Sequence, residues 1–296
     1  MNPTMTSQKK AGILCCVTGA TCWGISGACS EALFRLTPVD TTWVTAVRML
    51  VSGILLMAYA IAKRKTDISA ILKDQESCLQ ILLFSLAGLA LCQYSYLSAI
   101  KWTNSGTATV LQNLSIVFIS VYICLTTRKF PEKKTVVSIF LALFGVWLIA
   151  TGGVPGNLEI TPKGLFWGLA AGMSAAGYSL LSRKPVSKWG SIPVTGMGML
   201  IGGGFLFAAA RAWQIPSGLN AEAFFLLSAI ILIGTVGAFS LFMEGIQLIG
   251  PVRASLIACL EPLTATALSA FWLHSGFSSA DLAGFACILV TVFLST

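Results

Sequence analysis

Ten apolar stretches make up most of the chain, and each is long enough to cross a lipid bilayer as a helix. They cover residues 11–34, 41–62, 78–99, 104–125, 134–151, 163–182, 192–212, 221–243, 250–272 and 278–295. A transmembrane helix needs about 20 apolar residues to cross roughly 30 Å of hydrocarbon. Since 56% of the 296 residues are hydrophobic and only 10% are charged, a soluble fold is excluded. The sequence predicts an all-α integral membrane protein with ten transmembrane helices.

Lysine and arginine residues fall on alternate connections between these stretches. On one side lie Lys9, Lys10, Lys63, Arg64, Lys65, Lys73, Arg128, Lys129, Lys133, Lys134, Arg183, Lys184, Lys188 and Arg253; on the other lie only Arg35, Lys101, Lys163 and Arg211. Cytoplasmic loops carry this excess of positive charge. We therefore expect both termini to be cytoplasmic, with residues 1–10 as a cytoplasmic N-terminus. The net charge of +8 reflects loops beside anionic lipid and does not indicate a nucleic-acid partner.

The two halves of the chain resemble each other, which indicates two copies of a five-helix unit. A shift of 146 residues lays residues 108–109 on 254–255 and residues 114–116 on 260–262. Near the starts of the copies, two ladders of small residues correspond: Gly12, Cys16, Ala20 and Gly24 match Gly164, Gly168, Gly172 and Ala176. Because five is an odd number, the second copy must enter the membrane inverted, a recurrent plan of secondary transporters. We expect repeats at 11–151 and 163–296, joined by an outer connection at 152–162.

Three motifs give the chain a resemblance to a known family. Residues 107–114 (TATVLQNL), residues 234–247 followed by Gly250-Pro251, and residues 260–263 (LEPL) resemble the EamA branch of the drug/metabolite transporter superfamily. The resemblance implies ten-span secondary transport, typically export, of amino acids or related small metabolites. It also implies a central cavity among spans one to four and six to nine, with spans five and ten peripheral. Many relatives carry Gly-Glu after the ninth span, where this chain has His274-Ser275.

Three charged residues within the apolar stretches stand out. A charge in hydrocarbon costs at least about 2.5 kcal/mol, so it normally faces a cavity or a partner. Glu261 lies near the middle of the ninth stretch, Arg48 at a similar depth in the second, and Glu31 near the outer end of the first. We expect Glu261 to bind substrate or cycle a proton, with Arg48 and Glu31 as charge partners. Pro262 is expected to kink the helix, because proline lacks an N–H; a purely structural Glu261–Arg48 ion pair beside a simple kink is the alternative.

Neutral polar and aromatic residues complete the predicted site. The point of the first copy that matches Glu261 has no carboxylate; the chain offers the amides of Gln112 and Asn113 one turn earlier, and Gln93 lies in the third stretch. Buried amides and hydroxyls need hydrogen-bonding partners, which a polar cavity supplies. We expect these amides to line the cavity with Tyr96, Tyr178, Trp23 and Phe239, and we consider Tyr94 and Trp167 as further candidates; simple packing is the alternative for each aromatic.

Other function classes lack the residues that they require. The nine cysteines form no Cys-x-x-Cys pair and fit small buried hydrophobes, while His274 is the only histidine, so we expect no metal and no cofactor. No phosphate-binding loop or catalytic constellation is present, so we do not expect an enzyme. The sequence predicts a monomer or weak homodimer in the bacterial cytoplasmic membrane, whose partners are a small-molecule substrate, lipid and a candidate coupling proton. The alternatives are a transporter of drugs, cations or nucleobase-type metabolites, or a channel.

Overall fold

The structure, a computed structural model, describes residues 3–64, 68–128 and 133–295, and every regular element in these ranges is helical. Lys65 and Lys129, which contribute to the charge pattern, lie outside these ranges. Eight helical stretches of at least 18 residues are apolar enough to cross a membrane. Two shorter apolar helices, Leu256–Phe271 and Ser279–Thr291, coincide with the ninth and tenth predicted stretches. The predicted class of an all-α membrane protein is confirmed, while the count of ten crossings stays a prediction.

Several of the long helical stretches are divided by irregular turns. In chain order the helices are α1 (Pro3–Leu36), α2 (Thr41–Arg64), α3 (Ile68–Lys73), α4 (Gln75–Leu83), α5 (Leu91–Trp102), α6 (Ser105–Gln112), α7 (Ser115–Thr127), α8 (Lys133–Thr151), α9 (Pro162–Trp189), α10 (Ser191–Ala209), α11 (Ala221–Ile231), α12 (Ala238–Ile249), α13 (Pro251–Ala258), α14 (Leu260–Phe271) and α15 (Ser279–Ser295). A first π-helical segment, Phe84–Ala90, joins α4 to α5, and a second, Leu232–Gly237, joins α11 to α12.

The ends of the helices gather on two sides of the molecule. We call the end at which α1 begins the near side and the end at which it stops the far side. On the far side, Lys101 Nζ donates to the Val39 carbonyl at 3.0 Å. On the near side, Lys188 Nζ lies 2.5 Å from Asp74 Oδ2, and this ammonium together with the Ser77 hydroxyl lowers the pKa of Asp74 below its usual value. The connections therefore alternate between the two sides along the chain.

The two halves share their helix irregularities at matching positions. The π segments begin at Phe84 and Leu232, 148 residues apart, which is close to the sequence repeat. The break between α6 and α7 at Asn113 matches the break between α13 and α14 at Cys259, 146 residues away. Proline at 262 accounts for the second break, since its ring clashes with the carbonyl of Ala258. The first copy breaks at the same place without a proline, so the interruption belongs to both halves.

The two ladders of small residues pack at equivalent places. A Cβ atom added at Gly24 of α1 would lie 2.8 Å from the carbonyl oxygen of Glu261. A Cβ atom added at Gly172 of α9 would lie 2.9 Å from the carbonyl oxygen of Leu111. Small residues allow helix backbones to approach this closely in lipid. Each ladder therefore holds the first helix of its half against the broken helix of the other half, next to the break.

Helices α8 and α15 form a separate pair beside the remaining helices. They cross at Gly145 and Gly284, where an added Cβ atom on either residue would come within 2.8 Å of the other residue's carbonyl oxygen. Their main contacts with the other described helices are to α6 and α7. Large apolar side chains of α8, among them Phe140 and Phe144, are exposed, as expected for a surface that faces lipid. The pair therefore leaves the centre of the bundle to the other helices.

Candidate functional site

A cavity of about 340 Å³ lies among the helices where the irregular turns occur. Its lining combines polar and aromatic side chains from both halves: Trp23, Arg48, Leu89, Cys92, Gln93, Tyr96, Gln112, Asn113, Ser115, Ala175, Tyr178, Ser179, Phe239, Phe242, Met243 and Glu261. The break at Asn113 brings Gln112, Asn113 and Ser115 to the cavity, and Glu261 follows the break at Cys259 by two residues. The two interrupted helices thus meet the cavity at their breaks.

Nine residues singled out in the sequence lie on this lining: Trp23, Arg48, Gln93, Tyr96, Gln112, Asn113, Tyr178, Phe239 and Glu261. Tyr94 and Trp167 do not; their rings pack against each other with centroids 5.2 Å apart. Pro262 lines a separate apolar groove with Leu263 and Phe271. The next residue along the helix from Glu261 therefore faces away from the cavity, as the rotation of about 100° per residue requires.

Sequence reasoning missed several lining residues, and the internal repeat could have identified two of them. Ser115 lies 146 residues before Glu261 and is its direct counterpart in the first copy. Phe242 corresponds in the same way to Tyr96. No sequence signal indicates Leu89, Cys92, Ala175, Ser179 or Met243, because small, apolar and hydroxyl side chains are common on every face of a membrane helix.

Arg48 is held by a hydrogen bond to the second π segment. Its side chain is buried, with 4% of the residue exposed, and Nε donates to Thr235 Oγ1 at 2.9 Å. The Thr235 hydroxyl donates in turn to the carbonyl of Ile230 at 2.9 Å, five residues earlier. Within the part of the chain that the structure describes, Nη1 of Arg48 has no hydrogen-bond partner. One edge of the guanidinium group is therefore anchored, while a second nitrogen is left without an acceptor.

Glu261 shares the cavity with Arg48 but forms no ion pair with it among the described residues. The two charges are close enough to interact electrostatically. The guanidinium group is instead directed to Thr235, so the direct pair considered from the sequence is not formed. Glu261 is partly exposed and accepts no hydrogen bond from the described residues. Both charged groups therefore keep free hydrogen-bonding capacity toward the cavity.

Other polar groups of the lining are partly satisfied by neighbouring residues. The Tyr96 hydroxyl is 2.9 Å from Thr109 Oγ1. Gln112 Nε2 donates to Cys92 Sγ at 3.4 Å, a weak acceptor. These contacts hold the Tyr96 ring and the Gln112 amide in position. The carbonyl oxygen of Gln112 remains available to accept a hydrogen bond from a ligand.

Aromatic side chains form an apolar wall of the cavity, in contrast to its polar side chains. The Trp23 ring meets Phe239 edge-on at a centroid distance of 5.2 Å. It also contacts Phe242, with the centroids 4.7 Å apart. Edge-to-face pairs of this kind are favourable and restrict the rings. The cavity therefore presents a fixed apolar surface beside a polar one, as small-molecule sites commonly do.

Glu31, expected from the sequence to be a charge partner, lies outside this cavity. Its side chain is at the far end of α1, the residue is 2% exposed, and the carboxylate pairs with Arg35 at 2.5 Å. Ser105 donates to it from both N and Oγ, and Ser269 Oγ donates as well, each at 2.8 Å. The fifth donor is Ser275 Oγ at 2.8 Å. We call Glu31, Arg35, Ser105, Ser269 and Ser275 the far-side cluster.

The far-side cluster joins three helices and one connection. Glu31 lies on α1, Ser105 begins α6, Ser269 lies on α14, and Ser275 lies in the connection to α15. Ser275, which follows His274 in this connection, donates from its hydroxyl to the carboxylate of Glu31. The cluster therefore holds the far ends of these helices together.

The cavity extends toward the near side. Helices α6 and α14 pack together on the far side, where a Cβ atom at Gly106 would lie 2.8 Å from Thr266 Oγ1. Helices α7 and α13, on the near side of the two breaks, form no comparable packed pair in the described chain. The lining residues Ser179 and Met243 lie in the near halves of the helical stretches Pro162–Trp189 and Ala221–Ile249.

Comparisons with known proteins agree over almost the full length of the chain. A model of the EamA-like transporter family matches residues 10–151 and 162–296. The uncharacterized inner membrane transporter YicL of Salmonella typhimurium is 34% identical over 293 residues, covering 98% of this chain and 96% of that protein. The uncharacterized transporter YwfM of Bacillus subtilis is 26% identical over 210 residues, covering 68% of each chain. A protein of known crystal structure, at 18% identity, superposes with a TM-score of 0.59 and covers 100% of this chain and 97% of its own, which supports the fold alone.

Proposed function

Because the chain belongs to the EamA-like transporter family, and is thus a multi-pass membrane transporter rather than an enzyme, we propose that it carries amino acids or related small metabolites by alternating access. The transport is secondary, driven by a gradient, and the direction is export or exchange across the bacterial cytoplasmic membrane. The name of the Salmonella relative, an inner membrane transporter, supports this location. The excess of basic residues on the near side supports a cytoplasmic near side.

One observation carries the proposal most directly: the cavity contains a glutamate and an arginine whose charges are not paired with each other. Glu261 and Arg48 line it together, at the level where two helices are interrupted. Charged residues within a membrane are costly and mark the paths of ions and substrates. A purely structural role would be expected to pair them directly. We therefore assign Glu261 as the chief polar determinant of transport, which accepts the substrate's ammonium group or carries the coupling proton.

The matching breaks support a mechanism in which the two halves exchange conformations. On the far side, α6 of the first half packs against α14 of the second, whereas α7 and α13 stay apart on the near side. In an inverted repeat, α6 corresponds to α13 and α7 to α14. Exchanging the conformations of the halves would pack α7 against α13 and separate α6 from α14. The far-side cluster would then open while the near side closes, which is the movement that alternating access requires.

Counterflow in liposomes tests this function. The purified protein is reconstituted into vesicles loaded with one unlabelled amino acid, amine or nucleobase, and uptake of the same labelled compound is measured. We expect saturable exchange of at least one amino acid or related metabolite. Glu261→Gln, which removes the charge and keeps the shape, should reduce the exchange rate at least about tenfold, a loss of roughly 1.4 kcal/mol in the rate-limiting step.

The control is Glu222→Gln, which removes an exposed carboxylate at the start of α11, outside the cavity. It should leave the exchange rate unchanged. Wild-type rates for Glu261→Gln would remove that residue from the mechanism. Flux that rises linearly with concentration and does not depend on unlabelled compound inside the vesicles would indicate a channel and contradict a carrier.

A further inference from the structure

We propose that Arg48 forms a carboxylate-binding subsite, so that the cavity takes solutes carrying a carboxylate next to an ammonium group and an apolar side chain. This inference rests on the proposed transporter function and deepens it. It gives Arg48 a role different from the one expected from the sequence. Instead of neutralising Glu261, the guanidinium group contacts the substrate.

The hydrogen bonding of Arg48 is the first observation that supports a carboxylate-binding subsite. A buried polar atom without a partner is rare, because its desolvation costs free energy that nothing offsets. Arg48 is 4% exposed, it borders the cavity, and its Nη1 has no hydrogen-bond partner among the described residues. A guanidinium group offers several N–H donors in a plane that matches a carboxylate. A substrate carboxylate in the cavity would provide the missing acceptor.

Thr235 orients the guanidinium group for this contact. Its hydroxyl accepts from Arg48 Nε at 2.9 Å and donates to the Ile230 carbonyl at 2.9 Å. Both bonds lie at the second π segment, where the irregular backbone brings a carbonyl five residues back within reach of the hydroxyl. A donor that is already fixed loses less entropy on binding. Thr235 is therefore a positioning residue for the subsite.

The charge balance of the lining favours a zwitterion over a dianion. Arg48 is the one cationic and Glu261 the one anionic side chain among the lining residues in the described chain. A phosphate dianion would be attracted by the single positive charge of Arg48 and repelled by the Glu261 carboxylate. A carboxylate and an adjacent ammonium group would instead each face an opposite charge. The wall of Trp23, Phe239 and Phe242 would contact the apolar part.

Two matched series of ligands test the subsite. One is phenylalanine with phenethylamine and 3-phenylpropionate; the other is leucine with isopentylamine and 4-methylpentanoate. In each series the second compound lacks the carboxylate and the third lacks the ammonium group. Binding to the purified wild-type protein is measured by isothermal titration and by the thermal shift that a bound ligand produces. We expect an amino acid to bind and its amine to bind at least about tenfold more weakly, the loss of one charge-assisted contact.

Variants of Arg48 and Thr235 distinguish the residue that contacts the substrate carboxylate from the residue that positions it. Arg48→Lys keeps a positive charge but loses the planar fork, so it should weaken amino-acid binding and leave the amine unaffected. Thr235→Val keeps the guanidinium group and removes its anchor, so amino-acid affinity should fall less, with the preference for the carboxylate retained. This second variant keeps the test decisive if Arg48→Lys does not fold. Loss of amine and amino-acid binding to the same degree in Thr235→Val would contradict a carboxylate contact.

The outcomes distinguish this subsite from the general function. If amines bind and exchange as well as the matching amino acids, or if no amino acid of either series binds, the carboxylate subsite is wrong. If amines exchange in liposomes, the transporter proposal still stands. If amino acids bind through Arg48 but no compound exchanges, the subsite stands and the transporter proposal is wrong.

Discussion

At the scale of single residues, the glutamates Glu31 and Glu261, which both lie within apolar stretches, differ in the donors that surround them. Glu31 accepts five hydrogen bonds at the far side, from Arg35, Ser105, Ser269 and Ser275. Glu261 accepts none from the described residues and faces the cavity. A carboxylate that is fully satisfied holds structure together, whereas one with free oxygens can bind a ligand. Their environments thus support the proposal that the first holds the far side together and the second meets the substrate.

The number of donors around Glu31 predicts the effect of replacing it. In Glu31→Gln, the amide NH₂ group would face hydroxyl and N–H donors, so at least one buried donor loses its acceptor. Such a loss costs about 1–3 kcal/mol. We expect a lower free energy of unfolding for purified protein in detergent, measured as a lower thermal midpoint. Glu222→Gln serves again as the exposed control, and an unchanged midpoint for Glu31→Gln would contradict the closing role of the far-side cluster.

At the scale of helices, the close approach of α1 to α14 depends on a missing side chain. The carbonyl of Glu261 and the side chain of Thr264 lie where a Cβ atom of residue 24 would be. An added methyl group there would push α1 away from the break that presents Glu261. This contact therefore couples helix packing to the geometry of the cavity.

Two glycine substitutions test that coupling. Gly24→Ala should destabilise the protein by about 1–3 kcal/mol through overpacking and should also reduce exchange, because α14 is displaced. The matched control is Gly204→Ala in the second half of α10, where no packing partner among the described residues lies within 4 Å of the added atom. Alanine also favours a helix over glycine, so the control should be neutral or slightly stabilising. Thermal unfolding and counterflow measure both effects, and equal behaviour of the two variants would show that the α1–α14 contact is not tight.

At the scale of the whole molecule, two halves with the same irregularities form one cavity that differs in chemistry from side to side. Glu261 in the second half corresponds to Ser115 in the first, and Phe242 corresponds to Tyr96. Both halves keep the breaks and π segments on which the proposed movement depends. Differences at individual positions provide the polar and aromatic groups of the proposed binding site.

The proposed orientation of the molecule can be measured directly. Lys184→Cys at the near side and Asn157→Cys at the far side place a thiol on exposed positions. In intact bacteria, a membrane-impermeant maleimide should label the Asn157 variant only, and the Lys184 variant should react after permeabilisation. Wild-type protein controls for its nine native cysteines. Labelling of both variants in intact cells would contradict the inverted repeat and the cytoplasmic near side.

The sequence by itself determined that this protein is an all-α membrane protein of the EamA-like family and indicated which polar residues to examine. Hydrophobicity is a local property, and the cost of placing charges in lipid is large enough to be read from the chain without knowledge of the fold. Depth could also be predicted, because each residue of a helix adds a rise of about 1.5 Å. For this reason Arg48 and Glu261 were expected at similar depth, and both line one cavity.

Only the tertiary structure decided which way each of these side chains faces and what it contacts. Depth does not specify the rotation of a helix about its axis, and each π segment or break changes that rotation for the residues that follow. The carboxylate of Glu31 accepts hydrogen bonds from Arg35 and three serines and does not line the cavity. Tyr94 packs against Trp167, whereas Tyr96, two residues further along the chain, lines the cavity. Arg48 bonds Thr235, which is 187 residues away and meets it only because α2 packs beside the second π segment. Contacts between distant parts of the chain depend on the packing of all the helices, so the sequence of one helix could not specify them.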